Sequence, residues 1–538
     1  ISASSSSLRT DATVYVAGYS GASWSGQIQA FPVTAGTGVV GSTPIWYAAA
    51  HDHDNIATTP RIPYGLDLIT PATLPSRVIY SQSGTTGIEW TWANLSATQK
   101  LALQPSDTLG SDRLNFLRGD RSKEVASGGP FRNRESRLGD IINSNIWYVG
   151  KPSGDYAGGS YAAFKTANST RTPMIYVGAN DGMLHGFQTS DGAEKLAYVP
   201  KGLLGKLVQY TSPSYVHQYY VDGQPFVGDA DTGTGWKTVL VSGLGGGGKG
   251  YFILNVTNPT GFTAANAANI AMFDNTDSPG ADIGHIYSQP VVDDTRTDRS
   301  LQIVKMNDGK WAVVMGNGYN STNERPVLII HYLDGTPAKM ITPTCVSACT
   351  GFVGSANGLS APRLIDLNSD GTVDVAYAGD LLGNLWKFDL SQPVNTSWGV
   401  AFSDALGNGA PYFVAKTASN VRQPIMTAPY QLPHPLGGVM LAFGTGRNLT
   451  DTDPDSVTQD TMWGIWDNSA ISVSGSTVTM TAPALGKINL GTDVGRPPAT
   501  VLVPQTPTVA TTDTDGMKFY EVSRNSVTAV YEQLGAEG

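Results

Sequence analysis

The feature that most constrains this chain is a repeat. An apolar, β-branched run ends in a small residue and glycine, a turn follows, and a second apolar run often closes with an aromatic. The clearest copies are Ile175-Tyr-Val-Gly-Ala-Asn-Asp-Gly-Met-Leu-His-Gly-Phe187 and Val375-Ala-Tyr-Ala-Gly-Asp-Leu-Leu-Gly-Asn-Leu-Trp-Lys-Phe388. Looser copies pair Thr238–Gly243 with Gly250–Leu254, Trp311–Gly316 with Val327–Ile330, Val439–Gly444 with Met462–Trp466, and Val14–Gly18 with Gly26–Phe31. The run-ending glycines fall at 18, 178, 243, 316, 379 and 444. A proline precedes each of the last four units, at 225, 290, 362 and 429. Proline is tolerated where a strand starts, because the missing N–H is not yet needed by the ladder.

Units of a few short strands that cannot bury both faces alone must stack on their neighbours. Stacked radially, they make a β-propeller. The expected fold is therefore all-β, a seven-bladed, modified β-propeller occupying residues 1–538 as one domain. The long interval between Gly18 and Gly178 leaves room for a further blade, built on Arg77–Tyr80 and Ile88–Trp92. It also holds a short helical insertion at about residues 95–121, with Ser96 and Ser111 as capping residues. A β-sandwich followed by a smaller propeller is the alternative. Composition agrees with many short strands: 62 glycines and 32 prolines in 538 residues exceed the usual share.

Several function classes drop out. The net charge of −10 disfavours sequence-independent nucleic-acid binding, which needs a basic face. No window of about 18 apolar residues offers a transmembrane helix. The chain begins at Ile1 without a basic-then-apolar leader, which reads as a processed chain or a fragment of an exported protein. The two cysteines, Cys345 and Cys349, are too few for a zinc site and wrongly spaced for a C-x-x-C redox pair; a local disulfide across a turn is the preferred reading.

One motif carries chemistry. Residues 366–374 read Asp-Leu-Asn-Ser-Asp-Gly-Thr-Val-Asp, with oxygen-bearing side chains at positions 1, 3, 5 and 9 and glycine at 6. This is the first half of an EF-hand-type calcium loop. Asp366, Asn368, Asp370 and Asp374 would give side-chain oxygens and Thr372 its carbonyl, with water completing the shell. Position 12 is Tyr377, so no bidentate glutamate follows. The apolar neighbours Leu364, Ile365, Val373 and Val375 place the loop between two strands of one blade.

Weaker signals are a second acidic run, Asp451–Asp455, which lacks a glycine, and His51-Asp-His-Asp54. Arg118-Gly119-Asp120 has two readings. An exposed copy could bind an integrin-type receptor, whereas Gly119 also stands where a helix ending near Leu117 needs its cap. No G-x-S-x-G elbow or phosphate loop ending in Gly-Lys-Ser/Thr occurs.

Together, Leu117–Ser122, Tyr176–Phe187, Trp311-Ala-Val-Val-Met-Gly-Asn-Gly-Tyr-Asn-Ser321, Asp366–Asp374, Gly444-Thr-Gly-Arg447 and Gly464-Ile-Trp-Asp467 resemble the C-terminal propeller of the PilY/PilC-type factors of bacterial type IV pili. The resemblance implies a non-catalytic protein at the pilus tip, outer membrane or cell surface of a Gram-negative bacterium. It implies Ca2+ as regulator, held by Asp366, Asn368, Asp370, Thr372 and Asp374. It further implies minor pilins as partners, opposition to pilus retraction, twitching motility, and host attachment through Arg118, Gly119 and Asp120. The family's N-terminal half has no counterpart here. A propeller dehydrogenase using pyrroloquinoline quinone is the rival; its usual pair of adjacent cysteines is missing. A carbohydrate-binding propeller is a third reading.

Overall fold

The structure is a computed structural model of the chain. It describes residues 12–49, 66, 69–343 except 288 and 295, and 356–467 except 403–407, 418, 434–437, 451–452 and 454–459. Short strands at 2–3, 471–474 and 477–480 are described in backbone only. Cys345, Cys349 and the 51–54 run lie outside the described residues.

Two compact units emerge, Ile1–Ala230 with Thr234–Ser300, and Asp231–Gly233 with Leu301–Gly538. In the first, strands β1 (Ser2–Ala3), β2 (Ala12–Ser20), β3 (Ser25–Val33) and β4 (Trp46–Ala49) form an antiparallel meander. Next come β5 (Ile79–Ser83), β6 (Thr86–Glu89), β7 (Trp147–Val149), β8 (Met174–Ala179), β9 (Met183–Gln188) and β10 (Glu194–Tyr198). They make one six-stranded sheet in the order β6-β5-β10-β9-β8-β7. A second meander follows, β11 (Phe226–Asp231), β12 (Trp236–Gly243), β13 (Tyr251–Asn255) and β14 (Ala271–Asp274), and then the hairpin β15 (Val292–Asp293) and β16 (Arg296–Ser300).

The six-stranded sheet corrects one expectation. β5 and β6, read from sequence as the start of a separate blade, pair instead with the neighbouring unit. Ala197 lies opposite Ile79 and Tyr198 opposite Tyr80 in a parallel ladder. The helical stretch holds α1 (Ala97–Leu103) and α2 (Gly110–Arg118). Ser96 caps α1 as expected: its side chain accepts the Gln99 N–H, and the Gln99 side chain answers to the Ser96 N–H. Ser111 does not cap α2; it lies inside a helix that starts one residue earlier.

The second unit contains the meander β17 (Ile303–Lys305), β18 (Trp311–Gly316), β19 (Leu328–Tyr332) and β20 (Lys339–Ile341). After it come β21 (Arg363–Ile365), β22 (Val375–Gly379) and β23 (Asn384–Asp389), with β24 (Gly399–Val400) and β25 (Phe413–Val414) both on β23. The sheet β26 (Tyr430–Pro433), β27 (Val439–Gly444) and β28 (Met462–Asp467) is followed by the hairpin β29 (Ile471–Ser474) and β30 (Thr477–Met480).

The β21–β25 sheet shows what period-2 alternation does. Ala376, Ala378, Trp386 and Phe388 bury into one cluster with Ala312, Val314, Leu328 and Ile330. Val375, Tyr377 and Leu385, the intervening residues, bury into another with Val439, Leu441, Phe443, Trp463 and Ile465. One sheet thus has two dry faces, which explains its near-continuous apolar strands. In the first unit, Tyr15, Ile28, Ala30 and Trp46 pack likewise on Ile175, Val177 and Phe187.

Four of the six run-ending glycines have a steric cause, whereas Gly444 has open space around it. A Cβ on Gly178 would lie 2.3 Å from the Val221 carbonyl, on Gly316 2.0 Å from that of Ser360, on Gly379 2.2 Å from Ile425, and on Gly243 2.9 Å from Ile286. At each of these positions a later segment of chain crosses the strand end where any side chain would stand. The prolines at 225, 362 and 429 directly precede β11, β21 and β26, and Pro290 stands two residues before β15. Among the described residues no helix is long and apolar enough to cross a membrane.

Candidate functional site

Residues 366–374 close the hairpin between β21 and β22, whose last pair is Ile365 with Val375. The loop thus joins two antiparallel strands of one sheet. Two residues take left-handed backbone, Ser369 at φ 62° and Gly371 at φ 88°. Gly371 has open space around it, so its requirement is conformational rather than steric.

The side chains fold inward on this bend. Asp366 accepts the Gly371 N–H at 2.7 Å and the Asp370 N–H at 3.2 Å. Asn368 accepts the Asp370 N–H at 3.0 Å and donates its amide to Asp370 Oδ2 at 3.0 Å. Asp370 Oδ1 accepts the Thr372 N–H at 2.9 Å and hydroxyl at 2.6 Å. Asp374 is fully buried; its Oδ2 accepts the Leu367 N–H at 2.8 Å and its Oδ1 the Asn307 amide at 3.1 Å.

The electrostatics divide the loop. Burial pushes the Asp374 carboxyl up, and the charges of Asp366 and Asp370 add to that, against the donors Leu367 and Asn307. Asp370 runs the other way. Its slight burial is outweighed by the Thr372 hydroxyl and N–H, the Asn368 amide and the Lys305 charge, which hold it below the usual range.

The donor set is hard oxygen throughout, three carboxylates, an amide oxygen and a carbonyl, which suits Ca2+. A carboxylate offers about four lone-pair directions, so an oxygen that accepts an N–H can still bind a cation. As folded, however, no three acidic, histidine or cysteine side chains among the described residues group closely enough to hold a metal. A cation would have to draw the Asp366, Asp370 and Asp374 oxygens together from the N–H groups they now cap. Tyr377 is no ligand: it is buried in β22, with its hydroxyl on Asp467 Oδ2 at 2.6 Å.

Arg118-Gly119-Asp120 folds as a helix end. The Arg118 side chain is buried, donating to the carbonyls of Trp90 at 2.8 Å and Arg77 at 3.1 Å. Gly119 caps α2 in the left-handed conformation at φ 119°. Asp120 is half-exposed and accepts the Ser122 N–H at 2.8 Å. The tripeptide therefore does not present guanidinium and carboxylate side by side to solvent.

Of the second acidic run, Asp451 and Asp455 lie outside the described residues. Asp453 is a buried turn acceptor that takes Arg447 at 2.7 Å and the N–H groups of Leu449 and Thr450. These donors hold its carboxyl well below the usual range despite burial.

Sequence reasoning missed a charged cluster in the β5–β10 sheet. His185 places Nδ1 2.7 Å from Glu194 and Nε2 3.0 Å from Asp181, all buried. Arg77 completes it at 2.5 Å from Glu194. Burial alone would lower the imidazole; the two carboxylates reverse that and raise it to about 9. Burial would likewise raise Glu194, but Arg77 and His185 bring it to about 2. Asn307, which reaches the 366–374 loop from the β17–β18 turn, was missed as well. Its only signal was the Asn-Asp-Gly turn at 307–309.

A family model for the PilY1 beta-propeller domain matches residues 138–494. The type IV pilus biogenesis factor PilY1 of Pseudomonas aeruginosa strain PAK is 37% identical over 502 residues, covering 85% of this chain and 39% of that protein. A PilY1 homolog of Xylella fastidiosa is 35% identical over 502 residues, covering 86% of this chain and 32% of its own length. The crystal structure of the Pseudomonas aeruginosa PilY1 C-terminal domain is 34% identical, covers 62% of this chain and 66% of that one, and superposes with a TM-score of 0.48. The chain thus spans less than half the length of these full-length relatives.

Proposed function

The chain belongs to the PilY1 β-propeller family, and from that premise we propose that it is the non-catalytic, calcium-responsive module of a type IV pilus biogenesis factor. The match across residues 138–494 carries this reading, supported by curated relatives named as type IV pilus biogenesis factors. Its place is the pilus tip or outer surface of a Gram-negative cell, in contact with minor pilins, where it opposes retraction and supports twitching motility. A ring of blades belongs to the same reading; with β5 and β6 joined to the β7–β10 sheet, a count of seven needs a blade from elsewhere in the chain, which is checked by counting blades in an experimental map of the domain.

The calcium part rests on the oxygen-rich loop. Bound Ca2+ would supply two positive charges to a bend that carries three aspartates. Asp366, Asn368, Asp370 and Asp374 would turn side-chain oxygens inward and Thr372 its carbonyl, while the left-handed Ser369 and Gly371 hold the bend they share. Burial makes Asp374 the costliest carboxylate to leave charged, so it gains most from a cation. Calorimetric titration of the chain with Ca2+ tests this: binding is expected in the wild type and is lost in Asp374→Ala. Pilus number and retraction in cells carrying Asp374→Ala test the consequence. Unchanged piliation beside lost binding would detach the metal from the function.

Host attachment through Arg118, Gly119 and Asp120 is the extension that the geometry favours least. It requires Arg118 to leave two buried carbonyls. Equal loss of cell attachment in Arg118→Ala and Asp120→Ala, with the fold intact in both, would support it.

A further inference from the structure

The 366–374 loop is tied to a second hairpin by one side chain. Asn307 stands in the turn between β17 and β18. Its amide nitrogen donates to the Val373 carbonyl at 2.8 Å, the Leu390 carbonyl at 3.1 Å and Asp374 Oδ1 at 3.1 Å. Its amide oxygen lies 2.9 Å from the Thr372 hydroxyl, whose one hydrogen it shares with the closer Asp370 Oδ1 at 2.6 Å. The main chains join too. The Val373 N–H donates to the Lys305 carbonyl at 3.1 Å, and Met306 and Val373 form a parallel bridge.

This arrangement has two consequences. The Asp374 carboxylate is clamped from both ends, by the Leu367 N–H on one oxygen and the Asn307 amide on the other, so neither oxygen can move towards a cation without disturbing one of these partners. The amide also has two hydrogens for three acceptors, so one is shared. Any turn of Asp374 towards a cation redistributes those hydrogens between Val373 and Leu390. The neighbouring Met306 is fully buried in the cluster that contains Val373, Leu364 and Trp386, so movement of the turn meets packed side chains rather than water.

We propose that Asn307 is a positioning residue for the calcium loop, orienting Asp374 and carrying the loop's occupancy to the 305–310 turn. The inference rests on the calcium reading given above. Groups that orient a metal ligand without touching the metal typically change affinity by about 10–100-fold.

The test titrates Ca2+ into the full chain and its Asn307→Ala, Asn307→Leu and Asp374→Ala forms. It also follows amide hydrogen exchange at 303–311 and 366–376 with and without the ion. The wild type is expected to bind, with exchange slowed in both segments. Both Asn307 variants are expected to bind about tenfold more weakly or worse, and saturating Ca2+ then slows exchange at 366–376 only. Unchanged protection of β22 and β23 without Ca2+ shows that the variants are folded, and Asn307→Leu keeps the volume that alanine removes. Wild-type affinity, or calcium-slowed exchange at 303–311, in the Asn307→Leu form overturns the inference alone. Absence of binding by the wild type overturns the calcium reading and this inference together.

Discussion

Two groups of carboxylates in this chain solve the same problem differently. In the β5–β10 sheet, Asp181 and Glu194 are answered by His185 and Arg77, and the cluster is closed and internally neutral. In the 366–374 bend, three aspartates meet N–H groups, a hydroxyl and amides, and burial raises Asp374, with the charges of the other two adding to it. Where cationic side chains are built in, an ion has nothing to add. Where three carboxylates meet hydrogen-bond donors and the nearby charge of Lys305, charge is left for one to neutralise.

The largest expected effect breaks the closed cluster. Glu194→Gln leaves Arg77 buried without its carboxylate and should cost about 3–5 kcal/mol, read by denaturant unfolding of the first unit. Next is the pH response. With its folded pKa raised to about 9 from 6.5, His185 contributes stability that is fully present below about pH 6.5 and lost as pH rises through 9. The loss is on the order of 3 kcal/mol. Glu194, lowered to about 2 from 4.5, contributes above about pH 4.5 and loses that as pH falls through 2. Unfolding curves between pH 6 and 10 should therefore show an alkaline decline in the wild type that His185→Gln lacks. An identical decline in both would assign it elsewhere.

Calcium probes the open cluster. At a hundredfold excess over its dissociation constant it should stabilise the second unit by about 2.7 kcal/mol, seen as a calcium-dependent transition in calorimetry that chelator removes and Asp374→Ala lacks. It should leave the Glu194→Gln defect uncorrected; correction would collapse the distinction between the two clusters. Smallest is the helix end. Arg118→Ala strands two buried carbonyls and should cost about 1–3 kcal/mol. Asp120→Ala, whose side chain accepts one N–H at a half-exposed site, should cost about 0.5 kcal/mol.

What was legible in the sequence was local. The 366–374 bend is specified by nine consecutive residues, and Ser96 and Gln99 lie three apart in their capping box. The glycines at 178, 243, 316 and 379 were visible because each carries the same steric demand, although the sequence could not show which segment imposes it. The closed cluster was invisible because Arg77 and Glu194 are 117 residues apart, and nothing at either position announces a partner. The same distance hid the pairing of β5 with β10, so a plausible hairpin was assigned its own blade. Asn307 failed for the same reason, being 67 residues from Asp374.

That long-range pairing also sets an order of events. Ser81 donates to the Val199 carbonyl across 118 residues, so β5 leaves the ribosome well before the strand that completes its ladder. At about 5–20 residues per second the wait is roughly 6–24 s, whereas β21, β22 and β23 follow one another almost at once. During that interval β5 exposes an unpaired backbone edge, and the nascent chain is then most open to pairing with the wrong strand or being held by a chaperone.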